Sequence, residues 1–353
     1  MAQHRSTLDR ARSLLRRLLD PDGVEAINSL KLEVRRLARR IEQLEEAQRE
    51  ATELVRRADR ISTQIKLVSV LNREQQDDLR DARALLEDAR VAEHVRRAVA
   101  AAPLQTDPYE YVVVDRVFPD DVYELLIRSI PPPAFFSDRD PIKQNLTFPM
   151  EFGPALAAGV WGYMDEVMAR QVVRPAVLDK FHEPLQGYFE STFGAAQVEK
   201  ANSLPQSSSG GRLMLRRPGY HLAPHRDPKH AMLTCLLYLA RPGDSEEYGT
   251  QIFRVLNDSE AEYKTTYYPQ EEGRTCELVR VVPYRPNSML IMLNFRGAHG
   301  ATIPRDAAPD LERYTYQFYV SPLHDALSSL VKALPADQRA RWRSKAAARP
   351  EYA

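Results

Sequence analysis

The sequence contains few cysteines, no long apolar run and no excess of charge. Two of its 353 residues are cysteine, Cys235 and Cys276, which excludes a disulfide-stapled secreted scaffold and a zinc module built on paired cysteines. No apolar run approaches the roughly 20 residues that span a bilayer. The 49 basic and 49 acidic residues cancel, which argues against a protein that coats nucleic acid or an anionic membrane. We therefore expect a cytoplasmic protein whose partners include neither nucleic acid nor membrane.

The first hundred residues also have little glycine or proline. Up to residue 102 they hold one proline and one glycine, Pro21 and Gly23, and neither tyrosine nor tryptophan. Side chains recur there at alternating spacings of three and four residues, which is the heptad pattern of a coiled coil. This seam consists of Ile27, Leu30, Val34, Leu37, Ile41, Leu44, Gln48, Ala51, Val55, Ala58, Ser62 and Ile65. Arginine and glutamate occupy many of the other positions, as on a solvated coiled-coil surface.

The heptad register is lost near Asn72. The four residues 72–75 have the spacing of a helix start, and a second periodic stretch follows at Leu79, Ala82, Leu86 and Ala89. Two interpretations of the helical segment stay open. It is either a long coiled coil between chains, which makes a homodimer, or an antiparallel hairpin folded on itself or on the following domain.

After residue 103 we expect a strand at 111–114, then a helix through Val122, Leu125 and Leu126, and a mainly helical stretch at 151–193. Beyond residue 211, short apolar runs separated by turns predict strands at 212–215, 231–239, 251–255, 276–282, 288–295 and 314–320. Several short strands without helices between them favour an antiparallel sandwich or barrel. The predicted domains are a helical coiled-coil segment at 1–103, a sheet domain at 104–325 and a C-terminal helix at 326–353.

Two histidines and one aspartate have the spacing of a metal site. His225 and Asp227 lie two residues apart, so both side chains point to the same side of an extended strand end. His299 follows the apolar run 288–295 and can supply a third ligand. Two histidines and one carboxylate form a facial triad that leaves positions open on Fe(II) for a cosubstrate and O2. A structural zinc site would instead use four protein ligands.

The order of motifs around these residues is more specific than the triad itself. After His225-Arg226-Asp227 come Tyr248-Gly249-Thr250, Pro286-Asn287-Ser288, His299-Gly300 and Arg313-Tyr314-Thr315. Over about residues 108–322 this order resembles the Fe(II)/2-oxoglutarate-dependent dioxygenases, in particular their prolyl 4-hydroxylase-like branch. The resemblance implies an α+β chain with a double-stranded β-helix (jelly-roll) domain. It also implies that His225, Asp227 and His299 bind Fe(II).

The resemblance further implies how the cosubstrate is bound. The family uses a basic residue on the strand after the distal histidine to bind the far carboxylate of 2-oxoglutarate, and Arg313 fits that place. Arg305, in a loop with proline and aspartate, is the competitor. Thr315 shares a strand face with Arg313 and would add a hydrogen bond. Where the branch often has a tyrosine, this chain has Arg216, and Tyr220 is the displaced candidate.

The implied reaction is hydroxylation of an unactivated C–H bond in a small-molecule or protein substrate. 2-Oxoglutarate and O2 are converted to succinate and CO2, and ascorbate is a further candidate cofactor. Related halogenases lack the carboxylate ligand, so Asp227 favours hydroxylation, although desaturation, ring formation and epimerisation stay open. The alternative is an interaction protein in which the coiled coil is the working part and the jelly roll is catalytically silent.

Overall fold

The computed structural model describes residues 21–140, 145–148, 153–228, 230–258 and 266–340. Contacts between residues divide the chain into two compact units, Met1–Ile65 and Lys66–Ala353. The predicted domains 1–103, 104–325 and 326–353 place their boundaries elsewhere and stay predictions. Their outer parts, 1–20 and 341–353, lie outside the described residues. None of the described helices is long and apolar enough to cross a membrane.

One long helix, α1 (Pro21–Glu74), carries the heptad seam. The backbone N–H of the first helical residue has no hydrogen-bond partner within the helix. Proline, which lacks this N–H, is therefore well tolerated at that position. The large apolar side chains of the seam from Leu30 onward are between 53% and 65% exposed. The long helix expected from the heptads is therefore present, and its apolar stripe faces solvent in the described chain.

The helices after Glu74 pack onto the domain that follows them. α2 (Gln76–Leu86) contacts α4 (Asp120–Arg128) and α5 (Ala155–Tyr163). α3 (Ala89–Ala101) buries Val91, Val95 and Val99 completely, because a spacing of four residues places them on one helix face. For the stretch beyond Glu74, folding onto the following domain is thus the interpretation that the structure supports.

The helix start expected at Asn72 is wrong by a few residues. α1 continues to Glu74, and α2 begins after Gln75, whose side chain makes no capping hydrogen bond. The side-chain oxygen of Asn72 instead accepts a hydrogen bond of 2.7 Å from the backbone N–H of Ala155. A polar side chain that could cap a helix locally is therefore used in a tertiary contact.

Two antiparallel sheets make up the domain. The strands are β1 (Leu104–Gln105), β2 (Tyr111–Asp115), β3 (Ser137–Asp140), β4 (Asn145–Thr147), β5 (Gln206–Ser208), β6 (Arg212–Arg216), β7 (His221–His225), β8 (Leu233–Tyr238), β9 (Thr250–Val255), β10 (Cys276–Val282), β11 (Ser288–Leu293), β12 (Ala298–Thr302) and β13 (Arg313–Pro322). The larger sheet has the order β1-β2-β11-β8-β13-β6-β4-β3, with β5 also pairing with β13, and the smaller has the order β10-β9-β12-β7. Residues from both sheets line one cavity, so the sheets face each other. This is the expected α+β chain with a jelly-roll domain.

Helices cover the outer face of the larger sheet. After α5 the chain continues through a π-helical stretch (Met164–Val173), α6 (Arg174–Lys180), α7 (His182–Phe193) and α8 (Val198–Asn202). The described part of the chain ends with α9 (His324–Ala333) and α10 (Ala336–Ala340). The C-terminal helix expected at 326–353 is therefore interrupted at Leu334 and Pro335, and its part beyond residue 340 lies outside the described residues. These helices and the sheet share one buried apolar core, in which the rings of Trp161 and Tyr316 lie 5.4 Å apart.

Strand β13 faces this apolar core on one side and the cavity between the two sheets on the other. Tyr314, Tyr316 and Phe318 belong to the core shared with the helices. Because side chains alternate along a strand, the residues between them point to the opposite face. Arg313 and Gln317 accordingly line the cavity between the sheets. The alternation of β13 thus separates packing residues from site residues.

Candidate active site

His225 and His299 lie on neighbouring strands of the smaller sheet. His225 ends β7 and His299 is near the start of β12, and the two are direct partners in the antiparallel register. Partners of this kind project to the same face of a sheet, and the ring centroids are 4.2 Å apart. Both side chains are buried. Strand pairing therefore brings together two histidines that are far apart in the sequence.

Asp227 completes a compact group of three potential ligands. Its Oδ1 lies 3.7 Å from Nε2 of His225, and its Oδ2 lies 3.6 Å from Nε2 of His299. One ligand atom from each of the three side chains lies within 4.8 Å of the other two. Ligands that each bind one ion at about 2 Å have separations of this order. The three predicted ligands are thus arranged so that they can hold a divalent metal ion.

Hydrogen bonds fix the orientation of the triad. Nδ1 of His225 is 3.0 Å from the carbonyl oxygen of Ala223. Because a carbonyl only accepts, Nδ1 carries the proton and Nε2 is free to bind a metal ion. Thr234 Oγ1 donates to Asp227 Oδ2 at 2.6 Å, and Tyr319 Oη donates to Asp227 Oδ1 at 3.3 Å. Both carboxylate oxygens are therefore held in place.

The surroundings set the charge of the triad. Burial alone would raise the pKa of Asp227, but the adjacent imidazoles of His225 and His299 and the hydroxyl of Thr234 outweigh it and lower that pKa. Burial, together with the charge of His225, lowers the pKa of His299 to about 3. At neutral pH Asp227 is therefore ionised and His299 is neutral. These are the protonation states in which carboxylate and imidazole bind metal ions.

A cavity of about 160 Å³ adjoins the triad between the two sheets. Its charged lining, among the residues that the structure describes, consists of Asp227 and three arginines besides the two histidines. The arginines are Arg212, Arg216 and Arg313. With one carboxylate against three guanidinium groups, the cavity is positively charged and suits an anionic ligand.

Arg313 is the most deeply buried of these arginines. It is 2% exposed, and its Nε and Nη2 have no hydrogen-bond partner within the described chain. Its Cζ lies 5.5 Å and 5.1 Å from the ring centroids of Tyr238 and Tyr284. Burial and the adjacent charge of Arg216 lower the pKa of its guanidinium. A buried cation with unused donors is an unfavourable arrangement that a carboxylate in the cavity would relieve.

Tyr220 and Thr315, the other predicted cosubstrate residues, both contact Arg216. The hydroxyl of Thr315 accepts a hydrogen bond from Nη1 of Arg216, and the ring centroid of Tyr220 lies 4.9 Å from Arg216 Cζ. Tyr220 also lines the cavity, whereas the competitor Arg305 lines a different one beside it. The expected hydrogen bond from Thr315 to the cosubstrate stays a prediction, since the structure shows its hydroxyl holding Arg216.

An ion pair between Arg226 and Asp258 contacts the turn that precedes His299. Nη2 of Arg226 lies 2.8 Å and 2.7 Å from the two carboxylate oxygens of Asp258 and also donates to the carbonyl of Gly297 at 2.9 Å. Asp258 Oδ2 accepts the N–H of Gly297 at 2.8 Å. Since Arg226 lies between His225 and Asp227 in the chain, this pair ties the His-x-Asp segment to the turn that carries the third ligand.

Thr234, Tyr319 and Asp258 were not predicted from the sequence. Tyr319 shares the alternate face of β13 with Arg313, so a full reading of that alternation could have found it. Thr234 is the cross-strand partner of Tyr319, and only the strand register reveals that. Asp258 lies in a loop, and no local pattern marks it.

Comparison with known proteins finds likeness in structure alone. No family model matches the sequence, and neither does any curated protein. A prolyl-4-hydroxylase from Pseudomonas putida is 14% identical, with 66% of this chain and 99% of that chain covered and a TM-score of 0.36. HygX from Streptomyces hygroscopicus, solved with nickel, 2-oxoglutarate and hygromycin B, is 14% identical over 61% of this chain and 83% of that one, with a TM-score of 0.36.

A third similar structure is the α-ketoglutarate-dependent carbocyclase SnoK from nogalamycin biosynthesis. It is 12% identical and has a TM-score of 0.35, with 66% of this chain and 86% of that chain covered. At these identities and TM-scores the likeness says nothing about the reaction of this chain. Its chemistry therefore has to follow from its own residues.

Those residues combine two capabilities in one cavity. The triad offers three protein ligands, which leaves positions open on a six-coordinate ion. Arg216 and Arg313 offer donors that have no partner among the described residues, and an anion bound to the metal ion could accept from them. The arrangement can therefore hold a metal ion together with a carboxylate ligand.

Proposed function

We propose that this protein is an Fe(II)- and 2-oxoglutarate-dependent dioxygenase that hydroxylates an unactivated C–H bond. One observation carries the proposal. The buried triad His225, Asp227 and His299 shares a cavity with the buried guanidinium of Arg313, whose Nε and Nη2 have no hydrogen-bond partner among the described residues. A dicarboxylate that binds the metal ion at one end and Arg313 at the other satisfies both groups.

The residues present fit the proposed ion and cosubstrate. Two imidazoles and a carboxylate form the donor set typical of iron oxygenases that need open positions. When bound, iron and 2-oxoglutarate together supply the oxidation of the substrate by O2, with succinate and CO2 as the other products. The net reaction balances, because one oxygen atom enters the substrate as hydroxyl and the other enters succinate.

The chain's own side chains bind and orient these groups. Arg313 binds the far carboxylate, and its guanidinium can form two parallel hydrogen bonds to it. Thr315 accepts a hydrogen bond from the adjacent Arg216. Arg216 adds a positive charge and an Nε donor that has no partner among the described residues. Thr234 and Tyr319 hold the Asp227 carboxylate, so that it meets the ion in one orientation. Hydroxylation is favoured over halogenation because this carboxylate is present.

The test is an anaerobic titration of the full chain with Fe(II) and then 2-oxoglutarate. We expect a weak visible charge-transfer band that needs both components, and the band should be lost in His225→Ala and Arg313→Ala. Arg305→Ala is the matched control, because Arg305 lines a different cavity, and it should keep the band. A folded wild-type chain that gives no band would contradict the proposal.

Succinate release then serves as the readout for substrates. Formation of succinate from 2-oxoglutarate in air should depend on Fe(II), and a true substrate should raise its rate. Product analysis by mass spectrometry separates the outcomes, since hydroxylation adds one oxygen atom and desaturation removes two hydrogen atoms. Products that lack the added oxygen would contradict hydroxylation.

A further inference from the structure

The seam of α1 is an apolar stripe without cover in the described chain. Seven of its side chains are each more than half exposed: Leu30, Val34, Leu37, Ile41, Leu44, Val55 and Ile65. They lie on a single helix of 54 residues, and residues 27–65 span about 57 Å at 1.5 Å per residue. Contiguous apolar surface of this length marks a site of association, because burial against a partner removes it from water.

We propose that the seam forms a parallel, in-register, two-stranded coiled coil with a second copy of this chain. The spacing assigns the heptad letters a and d without ambiguity. The apolar a positions hold β-branched residues, namely Ile27, Val34, Ile41 and Val55, and the first three d positions hold Leu30, Leu37 and Leu44. β-Branched residues at a with leucine at d favour two parallel strands over three or four.

The polar residues of the seam select the same arrangement. Gln48 and Ser62 both occupy a positions, and in a parallel in-register pair each a residue faces its own copy. The two Gln48 amides then form hydrogen bonds with each other, as do the two Ser62 hydroxyls. In a fully overlapped antiparallel pair, a faces d, and Gln48 lies opposite Leu44. A buried amide against leucine has no partner and costs free energy, so the parallel register is favoured.

The charges beside the seam agree with this choice. In a parallel pair the g residue Arg40 lies beside the e residue Glu45 of the second copy, and symmetry gives this attraction twice. In the overlapped antiparallel pair Lys31 meets Asp59 twice, but Glu45 also meets Glu45 of the second copy. The attractions are therefore equal in number, and only the antiparallel pair carries a repulsion.

The two halves of the seam contribute unequally. Its C-terminal half has alanine at two d positions, Ala51 and Ala58, as well as the polar Gln48 and Ser62. These bury less apolar area than the leucines, so the segment 27–44 supplies most of the dimer's stability. In the parallel arrangement both chains leave the coil at the same end.

The first test is the mass of the full chain in solution, measured by multi-angle light scattering at micromolar concentration. We expect about twice the chain mass of 40.3 kDa. Leu37→Asp should shift the mass to that of one chain, because the seam cannot bury a carboxylate. Glu46→Gln, at the outward f position, is the matched control and should remain dimeric. A monomeric, trimeric or tetrameric wild type would overturn the proposal.

The second test is orientation, read from disulfide formation between copies. Leu30→Cys and Ile65→Cys, made separately, place one cysteine near each end of the seam. In the parallel register each variant should crosslink to itself under mild oxidation, whereas Glu46→Cys and the parent chain, which retains Cys235 and Cys276, should not. In the overlapped antiparallel pair the two copies of residue 30 are about 48 Å apart. A dimer in which neither end variant crosslinks would overturn the parallel arrangement.

Discussion

Arg216 and Arg313 are direct partners across the antiparallel strands β6 and β13, and both guanidinium groups line the same cavity. Burial first, and then the like charge of Arg216, lower the pKa of the Arg313 guanidinium. Among the described residues that line the cavity, Asp227 of the triad is the only one with a carboxylate. A dicarboxylate cosubstrate would therefore interact with both arginines, with Arg313 as the main contact.

We predict that Arg313→Gln weakens 2-oxoglutarate binding by about ten- to a hundredfold, because a hydrogen bond to a charged group contributes about 1.5–3 kcal/mol. Arg216→Gln should weaken it less. The measurement is calorimetric titration of the Ni(II)-loaded protein, so that no turnover occurs. Arg217→Gln is the control, since Arg217 pairs with Glu312 and does not line the cavity. Unchanged binding in Arg313→Gln would exclude its assigned role.

The carboxylate of Asp227 depends on Thr234, which donates to it at 2.6 Å and in turn accepts from Asn294 at 2.8 Å. We predict that Thr234→Val lowers the affinity for Ni(II) by about ten- to a hundredfold, as losses of contacts behind metal ligands do. Tyr319→Phe should have a smaller effect, because its hydrogen bond to the carboxylate is longer, at 3.3 Å. Direct metal titration of both variants compares them, and equal affinities in wild type and Thr234→Val would refute the role of this hydroxyl.

How far the site could be predicted depended on how local each signal is. His225 and Asp227 form a contiguous motif, and His299 follows a strongly apolar strand, so all three could be named from the sequence. Strand β12, which holds His299, was not predicted as a strand. Its residues Ala-His-Gly-Ala-Thr show no alternation of apolar and polar side chains, and pairing with β7 and β9 holds it instead.

Cross-strand relationships were beyond the reach of the sequence for a physical reason. The pairing of Arg216 with Arg313 and of Thr234 with Tyr319 depends on strand register, and register is set by the packing of whole sheets. The helix start at Asn72 failed for a similar reason, because a tertiary hydrogen bond to Ala155 replaced a local cap. Local sequence patterns predicted helices and strands, whereas the contacts between them became visible only in the three-dimensional structure.

Removal of one partner from the ion pair of Arg226 and Asp258 should be strongly destabilising. Asp258→Ala leaves the 2%-exposed Arg226 without a counter-ion, which typically costs about 3–5 kcal/mol of unfolding free energy. Glu246→Ala breaks the pair with Arg285, in which both side chains are about half exposed, and should cost about 1 kcal/mol or less. Urea unfolding followed by tryptophan fluorescence measures both. Similar losses in the two variants would show that burial does not distinguish these pairs.

Gly297 has a φ of 64° and close neighbours, and both disfavour a side chain at this position. A Cβ there would lie 2.1 Å from Cδ1 of Tyr109 and 3.0 Å from the carbonyl oxygen of Phe253. Gly243 has a φ of 91° but no atom within 4 Å of such a Cβ, so Gly243→Ala isolates the backbone cost of about 1–2 kcal/mol.

Gly297→Ala should lose more unfolding free energy than Gly243→Ala, because Tyr109 is buried and cannot move aside freely. It should also weaken Ni(II) binding, since the displaced turn carries His299 two residues later, whereas Gly243→Ala should bind Ni(II) as the wild type does. Thermal unfolding and metal titration of the two variants give both comparisons. If Gly297→Ala loses stability but keeps full metal affinity, the turn does not position His299, and the ligand's place is set by the pairing of β12 with β7 alone.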